Sequence, residues 1–402
     1  MAQRLWTKDF IFVTLVNLFM YLIHYMLIVT VTSFAIDEYH ASESIGGLAA
    51  GVFIIGMLGG RLGSGRIIDS LQPKKVLLGG VIASIIAIAL YFTINNIWVL
   101  MLIRFLHGLA FGFSSTATGT ISSRIIPEER KGEGIGYYGL SVTLASAFGP
   151  FLGLVLDNNL GFSSIFAIGL ISILISLVFT IFIKKLPMDE MDTSEDATHK
   201  PKGINAFLQK EALPISMVVI LVGIAYASVL SFLSIYADLL DLVTASSFFF
   251  VVFAIATFIT RPFTGKIYDR FGENKVMYPV LASFAIGLVI LSMTTSSFTL
   301  LVAAAFIGIG YGTVIPTAQA IAVQQSPSSK MGLATSTFYI FVDFGAGMGP
   351  FILGIFIPFL GYRNLYLAMA GVIIVAIIAY YFIHARHHKH PHKASTNHSQ
   401  RK

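Results

Sequence analysis

The sequence predicts an all-α integral membrane protein of twelve transmembrane helices in two pseudo-symmetric six-helix bundles. Three observations carry that expectation. Of 402 residues, 56% are apolar and only 11% charged, with 34 Phe; a soluble chain of this balance would lack polar surface to cover itself, so the bilayer is the implied solvent. The apolar residues gather into twelve stretches of about 20, the length that crosses a hydrocarbon core as helix. The chain also matches itself at a constant offset of 200 residues. Arg61, Gly65, Ile67, Asp69, Lys75 and Val76 recur as Arg261, Gly265, Ile267, Asp269, Lys275 and Val276. Gly108, Gly112, Pro127 and Gly132 recur as Gly308, Gly312, Pro327 and Gly332, and Gly149-Pro150-Phe151 as Gly349-Pro350-Phe351. That period far exceeds the repeat of a solenoid. Parallel repeats in a membrane chain place a solute path between the halves.

In chain order the first half supplies stretches at roughly 9–31, 46–68, 75–94, 98–121, 133–156 and 162–184. The second supplies roughly 213–236, 246–268, 275–294, 298–321, 331–356 and 363–384. Alternation at period two is absent, while Gly-x-x-x-Gly spacings recur (Gly47/Gly51, Gly108/Gly112, Gly308/Gly312, Gly345/Gly349). Close-packed helices therefore fit better than a barrel. The expected organisation is residues 1–184 as the N-terminal bundle, 185–212 as a cytoplasmic linker, 213–384 as the C-terminal bundle and 385–402 as a basic, His-rich cytoplasmic tail. The linker mixes Asp189, Glu190, Asp192, Glu195 and Asp196 with Lys200 and Lys202 and has little to bury.

Orientation follows from the basic residues. With the N-terminus cytoplasmic, Lys74, Lys75, Arg124, Arg130, Lys131, Lys184, Lys185, Lys266, Arg270, Lys275 and Lys330 all fall inside, and the outer loops hold Arg363. Both termini are then cytoplasmic, and the expected location is the cell membrane. The first stretch lacks a small-residue cleavage site and is expected to be retained. Absence of cysteine removes disulfides, thiolate catalysis and Cys-based metal sites. Positive cytoplasmic loops explain the net charge of +6 without nucleic acid. The end of the chain carries His384, His387, His388, His390, His392 and His398. Their spacing is irregular, Pro391 interrupts it and no carboxylate or thiol joins them, so a solvated end is expected in preference to a metal site.

With the repeat and topology established, the motifs resemble those of the major facilitator superfamily. Gly65-Arg66-Ile67-Ile68-Asp69, followed by Pro73-Lys74-Lys75-Val76, looks like that family's loop signature between the second and third helices. The second copy, Gly265-Lys266-Ile267-Tyr268-Asp269-Arg270-Phe271-Gly272, is closer to it; the first departs at Ser70 and Gln72. Arg104-Phe105-Leu106-His107-Gly108 resembles the fourth-helix motif with its buried arginine, and Gly149-Pro150-Phe151-Leu152-Gly153 the antiporter signature of the fifth. The resemblance spans about 9–384 and extends to the twelve-helix drug:proton antiporter branch. It implies alternating access, with Asp69 stabilising the outward-facing state.

Beside the resemblance stands a physical reading of each site. Asp69 and Asp269 lie at helix ends beside the cations Lys74, Lys75 and Arg270, where a carboxylate pairs with a cation or caps a neighbouring helix. They form the expected gating set together with Gly149, Pro150, Gly349 and Pro350, where proline and glycine permit a bend and close packing. Asp343 lies roughly 18 Å into the eleventh helix, near the midplane. Its repeat mate is Thr143, so the charge serves one half only. An intramembrane acid that loads and releases a proton as access alternates is the functional expectation; a permanently paired carboxylate is the structural one. Arg104, whose mate is Ala304, is expected to tune that acid with His24, or else to bind an anionic group or hold helices together through carbonyls. Asn17, Tyr21, His24 and Tyr25 form one polar-aromatic stripe at i, i+4, i+7 and i+8. With His107, Tyr226, Phe338 and Tyr339 they make up the expected solute cavity, suited to amphipathic or cationic solutes.

Enzymatic readings fit poorly. Gly134-Ile135-Gly136-Tyr137-Tyr138-Gly139 matches a dinucleotide fingerprint by letter, yet no strand precedes it. No Gly-x-x-x-x-Gly-Lys-Ser/Thr loop occurs, so an ion gradient and not ATP is the expected driver. The expected function is proton-coupled efflux of drugs or small amphipathic solutes by a monomer, with a small-molecule substrate, protons and the bilayer as partners and no cofactor, metal or nucleic acid. Export of a specific metabolite, such as a sugar or a metal-chelating small molecule, is the alternative within transport. A transport-dead receptor or scaffold is the alternative outside it.

Overall fold

The twelve expected spans form eleven helical runs in the computed structural model, which describes residues 5–70, 72–127, 130–184, 208–327 and 331–386. Linker residues 185–207, the tail from 387 and the side chains of Asp69 and Asp269 lie outside the described residues. The first half contains α1 (Lys8–Tyr39), α2 (Glu43–Ser70), α3 (Pro73–Leu90), α4 (Ile97–Ile125), α5 (Lys131–Leu160) and α6 (Ser163–Phe182). The second contains α7 (Leu213–Asp238), α8 (Val243–Phe271), α9 (Asn274–Ser292), α10 (Ser297–Gln324) and α11 (Met331–Tyr380). The last run holds both final spans, because only Gly361 leaves helical geometry, at φ 69° and ψ 165°. Lacking a β-carbon, glycine reaches that left-handed backbone cheaply, so the chain turns there into its twelfth span.

Local chemistry sets several helix starts. Thr7 caps α1 by accepting from the Phe10 amide at 3.2 Å. Asn96 accepts from Trp98 and Val99 at 3.0 Å each and caps α4, and Ser296 with Thr299 forms a capping box at α10. His384, expected at the start of a solvated tail, is instead buried at the end of the twelfth span, where its Nδ1 pairs with Gln325 Nε2 at 2.8 Å and its Nε2 lies 3.4 Å from Glu273.

Helix pairing reproduces the sequence repeat in space. In the first half α2 packs on α4, α1 on α5 and α3 on α4; six helices later α8 packs on α10, α7 on α11 and α9 on α10. Between halves the contacts are α2 with α11, α5 with α8 and α1 with α7, a set unchanged when the halves are exchanged. Large apolar side chains such as Trp98, Phe258 and Phe359 point outward and are exposed, as a hydrocarbon solvent allows.

Among the described residues the halves meet tightly on the side of the α1–α2 connection. There Gly47 lies against the Pro350 carbonyl and Gly51 against the Gly347 carbonyl, while Gly354 abuts Glu43 and Ser44. Ser44 Oγ donates to Phe351 O at 3.3 Å, and the Phe151 and Phe248 rings stand 5.5 Å apart. On the opposite side Leu62, Arg261 and Lys266 are exposed. The Gly47/Gly51 spacing thus joins one half to the other, whereas Gly108 meets Phe53 and Gly308 meets Phe253 within their own halves.

Candidate functional site between the halves

An ion pair across the two halves joins Arg61 of α2 to Asp343 of α11, with Arg61 Nη1 2.5 Å from Asp343 Oδ2. Both side chains are partly reached by solvent, at 27% and 15% exposure, so the pair sits in a wet crevice and not in a dry core. Arg61 Nη2 donates to the Tyr21 hydroxyl at 3.4 Å. Tyr21 packs edge-on against Phe111 at 4.9 Å and lies beside Tyr25 at 6.3 Å. Tyr21, Tyr25, Tyr311 and Tyr339 all fall within electrostatic reach of the carboxylate. A charge-paired centre is thereby ringed by phenols from both halves.

On the far wall Tyr226 stacks on Tyr311 at 3.6 Å and 12°, with Phe253 5.7 Å from Tyr226. Tyr339 donates to Gln319 Oε1 at 3.0 Å, and Phe338 is fully buried behind it. Arg261, the repeat mate of Arg61, is exposed and within electrostatic reach of Tyr339.

Several expected members lie elsewhere. Arg104 does not pair with Asp343: fully buried, it donates from Nε to Ala49 O at 3.0 Å and from Nη2 to Ala50 O at 3.2 Å, with its guanidinium 4.8 Å over the Phe53 ring. In low dielectric a guanidinium needs such acceptors, and here they tie α4 to the sealed part of α2. His24 stacks on the same Phe53 ring at 4.7 Å and 24° but also stands 5.1 Å from Tyr25 and 6.5 Å from Tyr21, which places it beside the crevice as expected, and its Nδ1 has no hydrogen-bond partner among the described residues. His107 pairs with the Tyr91 hydroxyl at 3.2 Å. Asn17 is engaged inside its own half, donating to Ser141 Oγ at 2.8 Å and accepting from Thr118 at 3.1 Å and Tyr138 at 2.9 Å.

Of the gating set, Lys74 Nζ donates to Ile181 O at 2.8 Å and to Ile183 O, capping the end of α6. Lys75 is exposed, and Arg270 lies over the Phe271 ring at 5.8 Å. Gly149 abuts Tyr25 and Gly349 abuts Ala227, so each approaches the first helix of its own half; Pro350 joins the seam with Gly47. Among the described residues no group of three or more metal-ligating side chains occurs.

Arg61 was legible only as a repeat position. An arginine inside the stretch 46–68 is itself an intramembrane charge, which is the signal that marks it.

Comparison with known proteins bears on the family and the fold. The model of the Major Facilitator Superfamily matches residues 13–293 and 243–401. The multidrug resistance protein MdtG of Klebsiella pneumoniae is 25% identical over 317 residues, 77% of this chain and 76% of that protein. That of Dickeya zeae is 24% identical over 318 residues, 77% of each. Among solved structures, a bacterial homologue of the human lysosomal transporter Spinster, inward-facing and unoccupied, superposes with a TM-score of 0.77 at 14% identity, covering 95% of this chain and 98% of that one. The nucleoside transporter NupG gives 0.75 at 12% identity, covering 94% and 99%.

Proposed function

The chain belongs to the Major Facilitator Superfamily of membrane transporters, and from that premise we propose that it is a proton-coupled exporter of small amphipathic, drug-like solutes. It works in the cell membrane as a monomer with both termini cytoplasmic, and alternates access by rocking its two bundles. One observation carries the reading: a carboxylate of one half, Asp343, is held by a cation of the other, Arg61, inside an aromatic crevice that is sealed on one side.

That carboxylate has three competing partners. With the outer side sealed, Arg61 holds it. A proton arriving on Asp343 cancels its charge and releases Arg61, and with it a tie between the halves. A cationic or amphipathic solute, stacked on Tyr25, Tyr226, Tyr311 or Tyr339, competes for the same charge. Because proton and solute favour different arrangements of one group, binding one expels the other, as antiport requires. In the opposite state Asp69 and the lysine-rich α2–α3 loop latch the cytoplasmic side. The names of the MdtG relatives support a drug-like solute.

The test is proton movement in everted vesicles with a pH dye inside, as lipophilic cations, neutral drugs and organic anions are added. Wild type is expected to release protons on addition of some of them, and Asp343→Asn to release none while still folded and binding solute. Solute-driven flux that survives Asp343→Asn would sink the assignment of the proton to this residue.

A further inference from the structure

A second cavity, of about 490 Å³, lies outside the solute crevice, between α3 and α4 on the membrane face of the first half. The face of α3 that borders it is cut away by small residues at helical spacing, Gly79, Gly80, Ala83 and Ala87, and Phe113 of α4 forms part of its floor. Gly80 closes tightly on Ser114, yet a β-carbon placed at Gly79 would meet nothing within 4 Å. The result is a long apolar slot that runs about 22 Å along α3 from Lys75 to Leu90. At one end stands Lys75, which is exposed and whose ammonium makes no ion pair or hydrogen bond among the described residues. Its neighbour Lys74 is already engaged by the α6 carbonyls.

The repeat offers an internal control. At the corresponding positions of the second half Gly79 becomes Pro279, Gly80 becomes Val280 and Ala83 becomes Ser283, whose hydroxyl donates to Phe306 O at 2.9 Å. Lys275 keeps the charge and Gly287 stands in place of Ala87, but Pro279 and Val280 fill the two adjacent glycine positions. The adjacent glycines that open the slot therefore belong to one half and are not repeated in the other.

We infer that this groove is a binding site for an anionic phospholipid, one acyl chain lying along Gly79 to Ala87 and its phosphate on Lys75. An unbranched chain fits a narrow apolar slot, and a lone cation at membrane-interface depth selects a negatively charged headgroup over a zwitterionic one. The site is independent of the transported solute.

Native mass spectrometry of the full chain, purified with an equal mixture of phosphatidylglycerol and phosphatidylcholine, tests it. Wild type is expected to retain phosphatidylglycerol preferentially. Lys75→Glu should lower the phosphatidylglycerol to phosphatidylcholine ratio by about fivefold. Gly79→Leu, which has open space to enter, should remove the retained lipid of either headgroup without shifting the melting temperature. An unchanged ratio in Lys75→Glu, or an unchanged lipid count in folded Gly79→Leu, would overturn the assignment.

Discussion

Gly51 of α2 faces the carbonyl of Gly347 of α11 so closely that no β-carbon fits between the two halves. Sealing of that side depends on the missing atom. Gly51→Val should therefore keep the halves apart where they now meet, because overpacking costs about 1–3 kcal/mol and is relieved by opening. The chain has no cysteine of its own, so a single Ser44→Cys reporter reads the change cleanly. Its reaction with a membrane-impermeant maleimide from the α1–α2 side is expected to quicken about tenfold or more with Gly51→Val. An unaltered labelling rate would mean that the seam does not control access.

A second prediction separates two adjacent lysines. Lys74 caps the last carbonyls of α6 through Ile181 and Ile183, whereas Lys75 makes no such contact. In lipid-free detergent Lys74→Met should lower stability by about 0.3–1 kcal/mol, the range for a cation at a helix C-terminus. Lys75→Met should leave the melting temperature where it was. Equal shifts for the two variants would contradict the capping role.

Arg104 provides a third. Its two bonds to Ala49 and Ala50 carbonyls join α4 to α2, and a lysine, with a single ammonium, cannot reproduce the paired geometry. Arg104→Lys should lose about 1.5–3 kcal/mol for each charged hydrogen bond broken, seen as a lower melting temperature. Proton release per folded molecule should persist in vesicles. Loss of coupling with unchanged stability would instead give Arg104 a direct part in proton handling.

The architecture was largely legible because it depends on averages over many residues: apolar length fixed the spans, and the 200-residue register gave two halves. The site was legible only where one residue broke the pattern. Asp343 stands out because its mate is Thr143; Arg61 was hidden because its mate is also arginine, so it read as register. Periodicity placed Asn17 on the stripe with Tyr21 and His24, but could not show that Ser141, Thr118 and Tyr138 already engage it from other helices. Spacing likewise announced a close approach at Gly47 and Gly51 without saying which helix would make it. Partners distant in sequence come from packing, and packing is what a one-dimensional pattern omits.

The pairing of Arg61 with Asp343 leads to the last prediction, which separates a structural tie from a coupling group. Removing either partner leaves the other charged and partly desolvated, so Arg61→Gln and Asp343→Asn should each destabilise the protein. In the double variant neither charge remains. Stability should recover, with a coupling energy of about 0.5–3 kcal/mol from the double-mutant cycle in thermal or denaturant unfolding. Transport should not recover with it, because the carboxylate that accepts the proton is still missing: the double variant is expected to fold like wild type, bind solute and release no protons. Arg61→Gln alone should retain proton release but lose its restraint on the halves, so the Ser44→Cys reporter should react faster. Restoration of solute-driven proton flux in the double variant would show that the pair matters only as a tie, and would remove Asp343 from the proton path.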